Sequence, residues 1–342
     1  MIDVGVLDEA FERFARTGPE FGRGLSNHGP MGSEALVALG RPDAVPAWSE
    51  WYAPRLQEQV RPTRKIGAND WREALGQIDR VGDWVVLFER ELEVGPWSGV
   101  VERWVKRLAP GVMATHGVLR TAHAVRALDR GETIPRRHEL AEGLAYWAAR
   151  YQPLAGRHIR DGQLRVAEAL PMVERLGPSG DRRGLFKDVI LQVETSTDFE
   201  RVIDLVSPDV PIDEFISDLT RVFVREYLEN AALASIAFIH TVTAPSALRF
   251  LHPHVTDETA RSLNLHMWQA CAAMHAAFAR ARSNAEAEEP TPFDEDDLIE
   301  QVIDARDEHA IKFAEACLRE HRISGDATFI AAIRDVVRRE RA

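Results

Sequence analysis

Apolar positions recur along this chain at spacings of three and four residues almost from end to end, and the strict alternation that marks a half-buried strand is nearly absent. Phe11 and Phe14 begin the series, a glycine-rich loop follows through Gly18, Gly22, Gly24, Gly29 and Pro30, and a helix is expected to start near Ser33. Further helices are expected at about 46–60, 69–79, 82–93, 98–107, 110–128, 135–152, 165–176, 185–194, 198–206, 211–231, 232–251, 256–283, 295–322 and 326–340. The run Trp84-Val-Val-Leu-Phe88 has strand-like residue types, but its flanks keep helical spacing and it reads as helix. The pattern predicts an all-α fold, a large multi-helix single domain over residues 1–342 with a buried polar cluster. Turn chemistry at Gly177-Pro-Ser-Gly-Asp-Arg-Arg-Gly184 offers a division into halves 1–178 and 185–342, and the acidic stretch Ala285 to Asp297 reads as a second surface connection.

With 45% hydrophobic and 28% charged residues, the composition is that of an ordinary globular protein. A net charge of −12, with only scattered arginine pairs such as Arg136-Arg137 and Arg182-Arg183, argues against nucleic acid as a ligand. Cys271 and Cys317 are too few for a zinc ribbon or a disulfide framework and read as small buried groups. The first residues lack a basic, then apolar, leader and no run approaches 18 apolar residues, so a cytoplasmic protein without a membrane span is expected, as monomer or homodimer.

Several familiar templates are missing. The glycines at 22, 24 and 29 have neither the spacing nor the preceding strand of a dinucleotide-binding turn. There is no P-loop, no Gly-x-Ser-x-Gly elbow, no second histidine after His138-Glu139 as zincins require, and no Glu-x-x-His pair of the di-iron bundles.

The candidate chemistry lies in the histidines. His266 and His275 are nine residues apart, half a rotation of a helix, and cannot face one site. His252 and His254 flank Pro253 at a helix end, and His138, His158 and His321 sit among charges, so these seven read as surface or capping residues. Five are better placed. In the penultimate helix, His309 and Lys312 share one face with Ala305 and Ala316, whose small side chains leave room beside an imidazole and an amine. The competing reading of this face is simple solvation. His240 has Ala237, Ala244 and Ala247 on its side, with larger Leu233 and Ile236 before it and Pro245 expected to kink the helix a turn later. His116 and His123 share a helix face about 10 Å apart along the axis, which makes joint ligation of one ion awkward. His28 occupies a constrained turn ahead of a helix.

Four segments together resemble the questin oxidase family: Phe21-Gly-Arg-Gly-Leu-Ser-Asn-His-Gly-Pro-Met31, continued by Glu34-Ala-Leu-Val-Ala-Leu-Gly-Arg41, then Ala114-Thr-His-Gly-Val-Leu-Arg-Thr-Ala-His123, His240-Thr-Val-Thr-Ala-Pro-Ser-Ala-Leu-Arg249 and Glu308-His-Ala-Ile-Lys312. The resemblance implies a helical fold and a non-haem iron oxygenase that opens anthraquinone rings with dioxygen, by ring cleavage or Baeyer–Villiger-type oxidation; NADPH, if used, would be a diffusible reductant, since the sequence has no recognisable site for it. It further implies His28, His116, His240 and His309 as ligands of Fe(II), joined by Lys312 if its amine is carboxylated. Lysine ammonium has no lone pair, whereas a carbamate binds like a long carboxylate. Fungal members carry a second histidine four residues after the position of His116, where this chain has Arg120 and then His123. Arg120 is therefore a candidate to orient a phenolate or to pair with an acidic side chain, and Asn27 and Glu308 are candidates to accept imidazole protons or shape the site.

These residues carry the expectation of an O2-using enzyme acting on a planar hydroxylated aromatic small molecule. Two other readings stay open: a hydrolase using zinc in the same cluster, and a metal-free helical binding protein whose polar cluster is an internally satisfied network.

Overall fold

The helical spacing of the chain becomes thirteen helical segments around one continuous apolar core in the computed structural model, which describes residues 4–22, 24–113, 115–156, 158, 162–176, 189–190, 192–195, 198–280 and 292–340. They are α1 (Val4–Phe14), α2 (Gly29–Ala38), α3 (Val45–Tyr52), α4 (Val81–Val94), α5 (Trp97–Leu108), α6 (Thr115–Asp129), α7 (Ile134–Ala149), the single turn α8 (Val166–Ala169), α9 (Ile212–Leu251), α10 (Asp257–Phe278), α11 (Glu295–Ala305), α12 (Glu308–Ser324) and α13 (Thr328–Glu340). The described strands are the two-residue β1 (Glu20–Phe21) and β2 (Leu25–Ser26), an antiparallel pair in the loop ahead of His28. The all-α expectation holds, including the helix over Trp84–Phe88.

The long helix α9 packs on α6, α10, α12 and α13, while α12 also packs on α2, and α6 on α7. Elements from both ends of the chain thus share one core. The suggested junction at 177–184 and most of the acidic stretch 285–297 lie outside the described residues. By length and composition α9 is apolar enough to cross a membrane, contrary to the expectation that no such run exists. Most of its apolar window is covered by neighbouring helices, as in a core helix.

Several boundaries differ from the sequence pattern for local physical reasons. The expected helix 295–322 is broken at Arg306, which adopts a left-handed backbone (φ 51°) and caps α11. Asp307 then opens a new helix, its Oδ1 accepting from the backbone N–H groups of His309 and Ala310 at 2.8 and 2.7 Å. Ala305 therefore belongs to a different helix from His309 and Lys312 and forms no stripe with them. The pieces expected at 211–231 and 232–251 form one helix, interrupted at Ala234 (φ −153°, ψ 47°), so the bend lies before His240 and not at Pro245. Proline removes the N–H that would reach the Thr241 carbonyl, and the buried thiol of Cys271 donates to that oxygen at 3.8 Å. The segments expected at 69–79, 165–176 and 198–206 are mostly short 3-10 turns.

A buried charge network ties α2, α6 and α12 together. Glu34, in the apolar helix α2, accepts from Arg126 Nε and Arg130 Nη1, both at 2.8 Å, and from His123 Nδ1 at 2.6 Å. Arg126 continues to Glu315 on α12, and Arg126 and Arg319 lie 4.1 and 4.3 Å from the centre of the Phe250 ring. Burial alone would raise the Glu34 pKa, but the Arg126 guanidinium and the His123 ring outweigh it and hold the carboxyl well below the usual carboxylate range.

Replacing Glu34 with Gln leaves Arg126 and Arg130 without their shared counter-charge, and the expected loss is about 3 kcal/mol at pH 7, read by urea unfolding. Because the folded carboxyl is the stronger acid, its stabilisation is full above the unfolded pKa of about 4.3 and fades as the pH falls further. Wild-type and Glu34→Gln stabilities should converge on acidification; a constant gap down to strongly acidic pH would contradict this account.

Candidate metal centre

Three helix N-termini deliver imidazoles to one place. His28 is the N-cap residue of α2, which begins at Gly29, earlier than the expected start near Ser33. His116 lies in the first turn of α6, and His309 in the first turn of α12. One nitrogen from each of these three rings lies within 4.8 Å of the others. His240, from the middle of α9, adjoins them: its Nε2 is 2.9 Å from His116 Nε2, and its ring centre is 5.6 Å from that of His309. The Lys312 Nζ, one turn into α12, is 3.3 Å from His28 Nδ1.

Local sequence explains how the chain reaches this arrangement. Both His28 and His116 are followed by glycine, and in each case no side chain would fit. A Cβ on Gly29 would stand 2.3 Å from the Phe14 ring, and one on Gly117 would stand 2.4 Å from the Trp147 backbone. The glycines let α2 and α6 press against α1 and α7 with the histidines at their starts. Asn27 staples the loop: its Nδ2 donates to Gly18 O and Thr17 Oγ1 at 3.1 and 3.2 Å, and its Oδ1 accepts from Gly29 N at 3.0 Å. The Tyr52 hydroxyl accepts from the His28 backbone N–H at 3.0 Å.

Protonation follows from burial. Desolvation, with the neighbouring Lys312 charge behind it, drives His28 well below the ordinary imidazole pKa; desolvation does the same at His116 and His309, and holds His240 at about 4. The rings are neutral at pH 7. His240 donates Nδ1–H to Ile236 O at 2.6 Å, which leaves its Nε2 lone pair facing His116. Burial also pushes Lys312 down to about 8, with Glu308 and Asp307 opposing. Lys312 is only 2% exposed, and its one hydrogen-bonding neighbour among the described residues is His28.

Such a donor set fits a divalent ion. Two imidazoles at right angles on a metal with bonds of about 2.1 Å hold their nitrogens about 3.0 Å apart, close to the His116–His240 spacing of 2.9 Å. Without an ion, the same separation is one shared proton. His28, His116, His309 and His240 are the residues able to ligate, and the nearest carboxylate side chains in sequence, Asp307 and Glu308, are engaged with the α12 cap and, at 3.5 Å, with Arg55.

The remaining candidates stand elsewhere. Of the two roles open to Arg120, the acidic pairing is the one formed: its Nε and Nη2 donate to both oxygens of Glu139 at 2.6 and 2.8 Å, and its Nη1 lies 3.4 Å from Glu142. Those buried carboxylates leave no guanidinium edge for a substrate. His123 likewise belongs to the Glu34 network, and Asn27 positions the His28 loop without accepting an imidazole proton. Among the seven histidines set aside, His275 is largely buried, against Glu226 at 2.9 Å. Sequence reasoning missed Asp307 and Glu34, although each left a trace: Asp307-Glu308 is a helix-start signature, and Glu34 is a lone acid in an apolar run. Comparison of the chain with models of known protein families gives no match, and neither does comparison with curated proteins. The likeness to questin oxidases rests on the segments quoted above.

His240→Ala and His309→Ala should each lose most bound metal in an equilibrium titration, whereas His321→Ala, whose ring bonds to the Asp326 carbonyl at 3.0 Å, should bind as wild type. Full metal binding by both variants would refute the ligand assignment. Gly29→Ala should destabilise the fold by roughly 1–3 kcal/mol through overpacking and weaken metal binding with it. Unchanged stability would show that Phe14 can give way.

Proposed function

We propose that this chain is a non-haem iron oxygenase acting with dioxygen on a planar, hydroxylated aromatic substrate. The observation that carries the reading is the convergence of four neutral imidazoles and a buried lysine, with His116 and His240 nitrogens 2.9 Å apart. The identity of the ion as Fe(II) rests on the resemblance to questin oxidases and on the affinity of iron for imidazole and carboxylate-type oxygen. A bound ferrous ion would supply activation of dioxygen, which the side chains of the cluster cannot do alone.

The chain's own residues supply the rest. His240 is held as the Nδ1–H tautomer by Ile236, so its donor atom is fixed before any ion arrives. Three helix N-termini surround the site, and their partial positive charge favours an anion there. No ligand in the set is anionic, so a dication would lack a compensating charge. Carboxylation of Lys312 provides one: with its pKa lowered to about 8, a usable fraction of the amine is neutral and can capture carbon dioxide as a carbamate. On α9 ahead of His240, Leu233 and Ile236 are 61% and 53% exposed and offer apolar surface to a planar aromatic body. Reducing equivalents, where consumed, would come from diffusible NADPH.

The same imidazoles would accept zinc, and a zinc hydrolase is the alternative outcome of the test. Protein loaded anaerobically with Fe(II) and then given hydroxyanthraquinones should consume dioxygen in an oxygen-electrode assay only when both iron and aromatic substrate are present. Lys312→Ala should lower the rate at least about tenfold, the order of one strong electrostatic contact, and added propionate should restore part of it. No uptake with iron, together with ester hydrolysis by the zinc form, would replace the oxygenase reading.

A further inference from the structure

A second feature stands apart from the histidines: a cleft of about 600 Å3 between α8 with its following turn, the N-terminal half of α9 and the end of α10. Its lining is of two kinds. Leu170, Val173 and Val222 contribute apolar surface, and five guanidinium groups stand around them against three carboxylates. The lining is therefore formally +2 in a chain of net charge −12.

Not all of these arginines are free. Arg165 bonds to Glu214 and Asp218 at 2.6 and 2.5 Å, and Arg225 to Asp326 at 2.7 Å. Three others keep donors in hand. Arg221 approaches Asp218 and Asp326 only to 4.0 and 3.8 Å, beyond hydrogen-bonding reach. Arg175 gives one bond, to the backbone oxygen of Arg280 at 2.7 Å, and the Arg280 guanidinium has no ion-pair or hydrogen-bond partner among the described residues. The lining carboxylate of Glu226 is turned to His275, at 2.9 Å, rather than to these guanidiniums.

We propose that this cleft binds an amphipathic organic anion, a carboxylate or phosphate monoester with a short apolar body. The charge lies among Arg175, Arg221 and Arg280, whose planar forks match such oxygens, and the body covers Leu170, Val173 and Val222. An inorganic anion would leave the apolar surface wet, and a neutral amphiphile would leave the guanidiniums unanswered. The volume falls within the range of small-molecule sites, and the site is independent of the metal centre.

Titration calorimetry with hexyl phosphate and hexanoate on the full chain tests this, with hexanol and inorganic phosphate as comparators. At least one of the two amphipathic anions should bind saturably at one site, at least about tenfold more tightly than either comparator. Binding should persist in His309→Ala, which separates this cleft from anion capture at the metal centre. It should weaken at least about tenfold in the double variant Arg221→Ala/Arg280→Ala, and separately in the exposed-site variant Arg175→Glu, with unfolding midpoints confirming that both are folded. Equal binding by these variants, loss of binding in His309→Ala, or hexanol binding as well as the anions would overturn the proposal.

Discussion

Placing four imidazoles, those of His116 and His309 half-buried, and a buried lysine amine at the meeting point of three helix N-termini is the constraint around which this protein is organised. Helix starts carry partial positive charge, and each nitrogen base placed there loses its proton more readily than in water. The imidazoles remain neutral, with lone pairs available, Lys312 keeps a neutral fraction, and the site as a whole favours an anion or a cation accompanied by one. A packed apolar core would have been the cheaper solution, since four rings and an amine must be desolvated.

The surrounding structure holds those helix starts in register. Glycines after His28 and His116 allow close approach to Phe14 and Trp147, where any larger residue would push the histidine-bearing turn away. Two turns deeper, Glu34 joins α2 to α6 through three donors, and Arg126 carries the connection to Glu315 on α12. The helices bearing His28, His116 and His309 are thus joined by charge farther in, while the glycines seat the starts of α2 and α6 against α1 and α7. Arg120 with Glu139 and Glu142 adds a separate buried tie from α6 to α7.

Much of this was legible in the sequence, and the parts that were not share a cause. Position on helix faces and in one constrained turn singled out His28, His116, His123, His240, His309 and Lys312, the resemblance to questin oxidases left His123 out of the ligand set, and the fold brings the other five together. Helix spacing places a residue on a face but does not say which partner waits there. Arg120 and His123 lie on the stripe of His116 yet meet Glu139 and Glu34, acids supplied by other helices. Single-residue backbone events were also hidden: the left-handed Arg306 splits one expected helix, and the bend falls at Ala234 although Pro245 is the residue that lacks an N–H. In both places the conformation of a single residue decides the break, and a periodicity taken over several turns does not register it.

X-ray absorption on protein purified without added metal addresses the central claim most directly, that one ion is held by His28, His116, His240, His309 and Lys312. The account predicts about one iron per chain, with three to four imidazoles and an oxygen donor at about 2.0–2.2 Å. A protein that carries no metal, and takes up none when Fe(II) is supplied, would contradict it and leave the cluster as a proton-linked internal network.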